Sequence, residues 1–481
     1  MNGEKLIELV PNYPVSYDLS NPKYMDTELK NIVWNKTAAE IKKNWEKSVS
    51  SLPGLWKYPS HRDRPLHTGW TWLQGRREDD GAEGLWRVHD RLYDLSGWEK
   101  SHPGGADWIT LTKGTDITEA FEVHHIRNVA DAMLKQFCVR EARTRRNSPY
   151  TFKENGFYRT LKARAREALA NEKFVGSTGT MYSKILADSL VMSMLALSVV
   201  AAWTQSFVVA MLAGLLLTFT TNCAHNFTHL KDNLRMYYFD FSMMSSRDWR
   251  ITHVLSHHLY TNTLLDLEIS MLEPWFKFLP FEEKNFFTRY VSWIYSPIVG
   301  ALTFHFSCMS RVVDRFRGSK PEMRKADLIP LIIPASMVFI AGASLLEALY
   351  MWTYITVCGS LFFIFIGLTA AHHHPVIFHD GDTPRADLDW GIQQLDAVRD
   401  RPVISSSDIL GLTFFGHHGL HHLFPTVDHT ILNKLYPAFQ KTCAEFGIEY
   451  NDVSFGELVR GAYLQVARTK PNTVPPGSGK H

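Results

Sequence analysis

The sequence lacks paired cysteines, a large net charge and an apolar N-terminal segment, and each absence excludes a class of protein. Its five cysteines form no C-x-x-C pair and no framework spacing, so we interpret them as reduced thiols in a chain whose bulk faces the cytosol. The formal net charge is only +2, which argues against nucleic acid as a partner. Residues 1–10 carry three charges and no long apolar run, so no cleaved signal peptide is expected.

Long apolar runs are present, although the mean hydropathy of −0.16 hides them. Each run has roughly the ~20 residues that a helix needs to cross a bilayer. They come as two pairs with only two residues between the partners, which predicts two helical hairpins. The four runs are residues 185–203, 206–224, 328–346 and 349–371.

Basic residues set the predicted orientation of these hairpins. They precede the first hairpin and recur between the two, whereas the hairpin tips carry none. Because positive residues stay on the cytosolic side, we expect both termini and the central loop to be cytosolic. Residues 275–306 are apolar but interrupted by charges, so we predict that they lie at the membrane interface. Buried helices of a soluble protein are the alternative, but two uninterrupted hairpins would be unusual there.

Eight histidines form three short groups, and metal binding is the function that they favour. Residues three or four apart on a helix share a face, so neighbouring imidazoles could reach one ion. Imidazole suits iron, zinc and copper, and so many nitrogen donors exceed the needs of one four-coordinate zinc. We predict two ions, with His258 pointing aside toward the second. The groups are His225 and His229; His253, His257 and His258; and His418, His421 and His422.

A histidine followed by Pro-Gly-Gly begins at His102. The glycines Gly104 and Gly105 permit a tight turn close to a flat ligand. Further along, Phe121 leads to His124 and His125. Two histidines from opposite walls of an apolar pocket would clamp a haem iron, whereas a surface turn without haem is the alternative.

The stretch from about residue 83 to residue 143 resembles the cytochrome b5 haem domain. It has a tryptophan, a Tyr-Asp-Leu strand, the His-Pro-Gly-Gly turn and a G-x-D-x-T segment from Gly114. The resemblance implies haem b with His102 as the first axial ligand. The second maps to His125, because haem domains fused to desaturases place a phenylalanine four residues before it; His124 is the fallback.

The histidine groups, their order and the hairpins resemble the membrane fatty acid desaturase and hydroxylase superfamily. With the haem domain in front, the match is to b5-fused, front-end desaturases, over roughly residues 83–440. The resemblance implies that Asn262 and Asp266, in a T-N-x-x-x-D segment, orient the ligands. It also implies two iron ions, and their ligands would be His225, His229, His253, His257, His258, His421 and His422.

Two features of the histidines stand apart from this pattern. Front-end desaturases usually carry glutamine where this chain has His418, which can still bind iron. The family often has one more ligand from the end of the fourth span, and one of His372, His373 and His374 could supply it. We select His373 and His374 as the candidates for this extra iron ligand. The alternative is that the three histidines only interact favourably with the dipole at the helix C-terminus.

We therefore predict a small α+β cytochrome b5 haem domain followed by an all-α membrane desaturase domain with four transmembrane helices in two hairpins. The predicted divisions are an irregular arm at residues 1–80, the haem domain at 81–145, a basic linker at 146–184, the desaturase domain at 185–465 and a disordered tail at 466–481.

The resemblance implies a membrane oxidoreductase, and a cytosol-facing haem domain with no cleaved signal fits the endoplasmic reticulum best. Electrons would pass from NADH through a separate cytochrome b5 reductase to the haem and then to a di-iron centre, which would use O2 to desaturate a lipid acyl chain or an acyl-CoA. Hydroxylation stays open, and so does a membrane-anchored haem electron carrier or lipid-binding protein without turnover.

Overall fold

A computed structural model describes residues 56, 59–63, 68–173, 176–316, 324–368, 371–450 and 452–477. Most of the predicted arm, together with the segment for which no signal peptide was expected, lies outside the described residues. Residues 478–481 of the predicted tail also lie outside them.

The end of the predicted arm is helical. A short 3-10 turn at Ser60–Asp63 precedes α1 (Gly69–Asp79), whose first turn is capped by Thr68. The buried indole of Trp72 donates a hydrogen bond of 2.9 Å to the carbonyl oxygen of Leu265. The prediction of irregular backbone up to residue 80 is wrong here, because the prolines on which it rested end at Pro65, before α1 begins.

A small sheet and three short helices form the region that carries the His-Pro-Gly-Gly turn. The strands β1 (Trp86–Val88), β2 (Arg91–Tyr93) and β3 (Cys138–Glu141) pair in that order, all antiparallel. The helices are α2 (Ala106–Leu111), α3 (Thr118–His124) and α4 (Val129–Leu134). The fully buried Trp86 joins the two layers, since its indole N–H donates to the carbonyl oxygen of Ile109 at 3.1 Å. The predicted small α+β domain is confirmed.

Helix α5 (Phe157–Ala168) connects this domain to the rest of the chain. Its apolar residues recur at helical spacing, and one face is buried while the opposite face carries arginines. The hydroxyl of Tyr158 donates to the carbonyl oxygen of Leu423 at 3.2 Å. This part of the predicted linker is therefore a packed helix.

Three helices among the described residues are long and apolar enough to span a membrane. They are α6 (Met181–Thr204), α7 (Phe207–His229) and a later helix over Leu345–Gly367. Gln205, with φ 53°, turns the chain between α6 and α7. Gly214 lets α7 approach the later helix closely, because a Cβ there would lie 2.8 Å from the carbonyl oxygen of Ile355.

The middle of the chain alternates long and short helices. In order these are a 3-10 helix at Leu234–Ser242, α8 (Ser246–Trp249), a π-helix at Arg250–His257, α9 (His258–Tyr260), a second π-helix at Phe287–Val291, α10 (Ser292–Phe316), a 3-10 helix at Lys325–Leu331, α11 (Ile332–Phe339) and α12 (Leu345–Leu368).

The predicted span at residues 328–346 is not one helix. It divides into the end of a 3-10 helix, the eight residues of α11 and a break in which Gly342 has φ +69°. Pro330 and Pro334 remove backbone N–H donors, which interrupts a regular helix. The two-hairpin arrangement is therefore not confirmed. Instead, α10 packs on α12, where the Ser360 hydroxyl donates to the carbonyl oxygen of Gly300 at 2.5 Å.

Short helices complete the C-terminal region around a shared core with α5. They are α13 (Trp390–Asp396), α14 (Pro402–Ser405), α15 (Asp408–Phe414), α16 (His418–Leu423), a 3-10 helix at His429–Leu435, α17 (Tyr436–Phe446) and α18 (Phe455–Ala467). The prediction of disorder from residue 466 is wrong as far as residue 477. Asn472 donates its backbone N–H to Asp382 at 2.7 Å and its side-chain amide to Pro375 at 2.9 Å.

Candidate metal centre and haem-binding site

Five buried histidines bring their ring nitrogens together beside the end of α7. One nitrogen of each lies within 4.8 Å of those of the others. Nε2 of His253 lies 2.7 Å from Nε2 of His225 and 3.0 Å from Nε2 of His258. The five-histidine group consists of His225, His229, His253, His258 and His421.

A second group lies beside the first. His257, His372 and His422 form this three-histidine group, and His257 Nε2 lies 3.1 Å from His372 Nε2. His418 joins its edge, with Nε2 2.6 Å from Nε2 of His372. Because His421 and His422 are neighbours on α16, one short helix contributes to both groups.

These arrangements fit metal ions. Ligands at right angles on an ion with bonds of about 2.1 Å lie about 3 Å apart, as the facing nitrogens do. Within the described part of the chain, both ring nitrogens of His421 and Nε2 of His422 are buried without a hydrogen-bond partner, and a bound cation would supply one. Burial lowers the pKa of His258, His421 and His422 well below the usual value, which favours the neutral, metal-binding imidazole.

The local backbone decides which histidine of the second motif faces which group. In the π-helix at Arg250–His257, the N–H of His258 bonds the carbonyl oxygen of His253, five residues earlier. Residues five apart therefore share a face, and His253 and His258 both join the five-histidine group. His257 is the residue that faces the other group. The prediction that His258 points aside is wrong, because it assumed α-helical spacing.

Two carboxylates orient histidines of this motif. Asp266 Oδ2 lies 2.9 Å from His257 Nδ1, and Glu268 Oε1 lies 2.6 Å from His253 Nδ1, so each Nε2 is left for the metal-facing side. Burial lowers the pKa of His257, but Asp266 and Glu268 outweigh it and raise the pKa to about 9. Burial raises the pKa of Glu268 to about 7.

Glu268 is a residue that sequence reasoning missed. Its only signal was a second acid two positions after Asp266. Asn262, expected to orient ligands, donates its amide to the carbonyl oxygens of His372, at 2.9 Å, and Phe378, at 3.0 Å. Its contact is thus with the backbone that carries His372.

The three consecutive histidines after α12 occupy different surroundings. His372 enters the three-histidine group, whereas the ring of His373 stacks on Phe278 with centroids 3.6 Å apart. His374 is half-buried, and its Nδ1 accepts the N–H of Val376. The choice of His373 and His374 as ligand candidates is therefore corrected to His372. Successive side chains of a non-helical segment point to different sides, so only one of the three faces the group.

His429 also lies against the five-histidine group without any spacing signal in the sequence. Its ring lies 4.2 Å from that of His421, centroid to centroid. Its Nδ1 lies 2.9 Å from the side-chain oxygen of Asn226, on α7. The contact arises from tertiary packing, which a local motif does not report.

A largely apolar cavity of about 340 Å³ lies beside the His-Pro-Gly-Gly turn. His102 and His125 face each other across it, with ring centres 6.2 Å apart. An iron with bonds of about 2 Å to two imidazoles would separate their centres by about 6 Å. Each Nδ1 lies 3.0 Å from a carbonyl oxygen, of Gly105 and Phe121 respectively, which leaves Nε2 for iron. These residues fit a haem with two axial histidines.

His124 takes a different position from His125. Its ring lies against Trp108, with centroids 5.7 Å apart, and its buried Nε2 has no hydrogen-bond partner among the described residues. Burial lowers the pKa of His125 to about 4 and that of His124 to about 3, so both are neutral near pH 7. The geometry favours His125 over His124 as the partner of His102.

The wall of this cavity is not made by the small domain alone. His229, Leu255 and Thr426 also line it, and they come from the part of the chain that carries the histidine groups. His229 belongs to the five-histidine group, so one side chain borders both candidate sites.

The comparisons with known proteins match this division. The fatty acid desaturase family matches residues 201–454, and the cytochrome b5-like heme/steroid binding domain matches residues 71–143. No solved structure matches the chain.

The curated relatives are similar over most of their length. A cytochrome b5-related protein of Drosophila melanogaster is 40% identical over 439 residues, which cover 91% of this chain and 99% of that protein. A probable Delta(5) fatty acid desaturase C of Dictyostelium discoideum is 26% identical, over 79% of this chain and 91% of that protein. An acyl-lipid (8-3)-desaturase of Mortierella alpina is 21% identical, over 79% and 92%. The chain therefore belongs to the fatty acid desaturase family, as a desaturase domain with a cytochrome b5 domain fused in front of it.

Proposed function

We propose that this protein is a membrane oxidoreductase that uses haem and a two-iron centre to desaturate lipid acyl chains with O2. The observation that carries the proposal is the shared wall of the two sites: His229, of the five-histidine group, lines the cavity of His102 and His125. A haem site so close to a second metal site is suited to electron delivery.

The cofactors would supply chemistry that side chains lack. Removing hydrogen from an unactivated methylene requires an oxidant such as iron with O2, and a haem supplies the electrons one at a time. Formation of one double bond takes two hydrogens from the acyl chain. With two further electrons and two protons, one O2 then leaves as two molecules of water.

The side chains have separate tasks in this proposal. His102 and His125 would hold the haem iron, while the five-histidine group and the three-histidine group with His418 would each hold an iron ion. Asp266 and Glu268 fix the ring orientation of His257 and His253. Both groups are buried, which keeps bulk water away from the centre.

The surroundings support a lipid substrate. Long apolar side chains are exposed on several helices, among them Trp203 of α6, Ile298 of α10 and Phe339 of α11. Such surfaces suit the acyl chains of a bilayer. We infer a location in the endoplasmic reticulum membrane, with both sites on the cytosolic side and an acyl-CoA or acyl lipid as substrate.

Electrons would come from NADH through a separate cytochrome b5 reductase. The haem cavity has an open side, where Val129 of α4 is 65% exposed and Arg127 and Lys231 lie nearby. An external flavoprotein could reach the haem edge there without entering the junction between the two sites.

Expression in a cell that lacks desaturases, followed by a fatty acid profile, tests the proposal. Lipids and acyl-CoA of several chain lengths should be supplied together. We expect a new unsaturated species that depends on the intact second histidine motif. A hydroxylated species would change the reaction assigned to the same centre. Protein loaded with haem and iron, supplied with reductase and NADH, that converts none of these substrates would contradict the proposal.

A further inference from the structure

The junction between the haem domain and the histidine groups is built from buried, directional contacts. A haem domain that only has to be tethered nearby would need none of these, because a flexible linker already gives a high effective concentration. Both segments that carry the axial histidines are bonded to the desaturase domain.

The first axial segment is bonded through Asp232 and Arg250. The N–H of Asp232 donates to the carbonyl oxygen of Gly104 at 3.0 Å. Arg250 pairs with the Asp232 carboxylate at 2.6 Å, and its guanidinium lies 4.5 Å from the ring centre of Trp108, on α2. Gly105 allows this approach, because a Cβ there would lie 2.2 Å from an oxygen of Asp232.

Arg250 reaches the metal-binding elements at the same time. It is the first residue of the π-helix that carries His253 and His257, and its side chain is fully buried. Its Nε donates to the carbonyl oxygen of Thr228 at 3.1 Å, within the last turn of α7. A cation bound to the carbonyls at a helix C-terminus is favourable. One guanidinium therefore connects α7, the π-helix and the haem loop.

The second axial segment is bonded independently. The hydroxyl of Thr426, which follows α16, donates to the carbonyl oxygen of His124 at 3.3 Å. From α5, Arg166 donates to the carbonyl oxygen of Ile126 at 2.9 Å, and Lys162 donates to that of Glu122 at 2.7 Å. The backbone on both sides of His125 is thus bonded to the desaturase domain, through Thr426, and to the connecting helix α5, which packs on that domain through Tyr158.

We propose that the haem domain is fixed on the desaturase domain at both axial segments, and that Arg250 is the positioning residue that sets the haem loop against the metal-binding helices. Docking of this kind would hold the haem at a fixed distance from the histidine groups. That this distance serves electron delivery from haem to iron rests on the proposed function. The docking itself rests only on the contacts of the junction.

A distance measurement between two spin labels tests the docking in the full-length, haem-loaded protein. One label occupies the native, exposed Cys138 on β3, and the other an introduced cysteine, Lys441→Cys, at an exposed position of α17. Cys308 and Cys358, which are half-buried, are replaced by serine. Fixed docking predicts one narrow distance distribution, and a broad one would overturn the proposal.

The same labels test Arg250. In Arg250→Gln, we expect the distribution to broaden and the amide of Asp232 to exchange with deuterium at least about tenfold faster, while haem absorbance and iron content stay unchanged. Asp232→Ala provides a second, milder variant at a half-exposed side chain, should Arg250→Gln fail to fold. The matched control is Arg235→Gln, which breaks a bidentate pair with Asp188 inside the desaturase domain.

Each outcome has a separate meaning. A narrow distribution that both variants leave unchanged would overturn Arg250 as the positioning residue. The distances need no turnover, so a protein with narrow distances but no acyl product would keep the docking and contradict only the proposed function. Product formation by a protein with a broad distance distribution would support the proposed function and contradict the docking.

Discussion

The haem cavity and the histidine groups hold imidazoles in opposite ways. In the cavity, two rings stand apart and each Nδ1 is fixed by a backbone carbonyl oxygen. In the groups, the rings contact one another directly, and carboxylates of Asp266 and Glu268 fix two of them. The first arrangement leaves room for a large flat ligand, and the second brings ring nitrogens close enough to share single metal ions. Loss of haem and loss of iron should therefore be separable by mutation.

The largest expected effect is that of His257→Ala. The change removes a ring from the three-histidine group and takes the imidazole partner from the buried carboxylate of Asp266, which keeps only its backbone N–H donors. We expect product formation to stop while the haem spectrum stays intact. Turnover by this variant at the wild-type rate would rule out a metal role for the group. His417→Ala, whose ring bonds Tyr436, is the control and should retain activity.

The haem side of the comparison is tested by two neighbouring substitutions. His125→Ala should abolish the absorbance of haem with two axial histidines, because this ring faces His102 across the cavity. Its non-haem iron should remain. His124→Ala should keep the haem spectrum, since that ring lies against Trp108. The reverse result would exchange the roles of the two residues.

A second neighbouring pair tests the correction made at the end of α12. His372→Ala should lose about one iron ion per chain in elemental analysis, because it removes a member of the three-histidine group. His373→Ala should keep its iron, since its ring stacks on Phe278 instead. Equal iron in the two variants would show that His372 is not a ligand.

A smaller effect is expected for Glu268→Gln. The amide keeps the size of the side chain but no longer provides a charged acceptor for Nδ1 of His253. Loss of such an orienting partner typically weakens metal binding by about 10- to 100-fold. Iron retention during dialysis against graded chelator concentrations measures the change. Unaltered retention would show that Glu268 does not orient the ligand.

The smallest effect concerns Glu122, which contacts His89, Arg159 and Lys162. Burial alone would raise the pKa of Glu122, but hydrogen bonds and positive charge from these partners have the larger effect. The net result is a pKa lowered to about 2. Glu122→Gln should thus reduce the free energy of unfolding by roughly 2 kcal/mol at pH 7.

The sign of the pH dependence follows from this lowered pKa. The stabilisation by Glu122 is complete above the unfolded pKa of about 4.3 and is lost as the pH falls toward 2. The difference between wild type and Glu122→Gln should therefore shrink below about pH 5. Denaturant unfolding at several pH values measures it, and a difference that grows on acidification would contradict the assignment.

Local sequence patterns predicted the parts of the molecule that depend on local structure. The spans of α6 and α7 follow from composition and length, and the His-Pro-Gly-Gly turn marked the α+β domain. The three histidine motifs do come together, as their spacing indicated. Helical periodicity and turn residues encode such features within a few residues of each other.

The remaining features depend on packing between distant segments. The π-helix that separates His257 from His258 differs from an α-helix by one hydrogen-bond register, which periodicity does not distinguish over eight residues. The choice of His372 among three histidines depends on contacts with α16 and Asn262. The docking of the haem domain through Arg250 joins parts of the chain more than one hundred residues apart, for which no local signal exists.

The most direct measurement is the ratio of total iron to haem in gently purified protein, by elemental analysis beside haem absorbance. Two ions in the histidine groups and one in the haem predict a ratio of about three. A ratio of about one, in protein whose haem site is fully loaded, would contradict the two-iron centre and leave a membrane-bound haem protein.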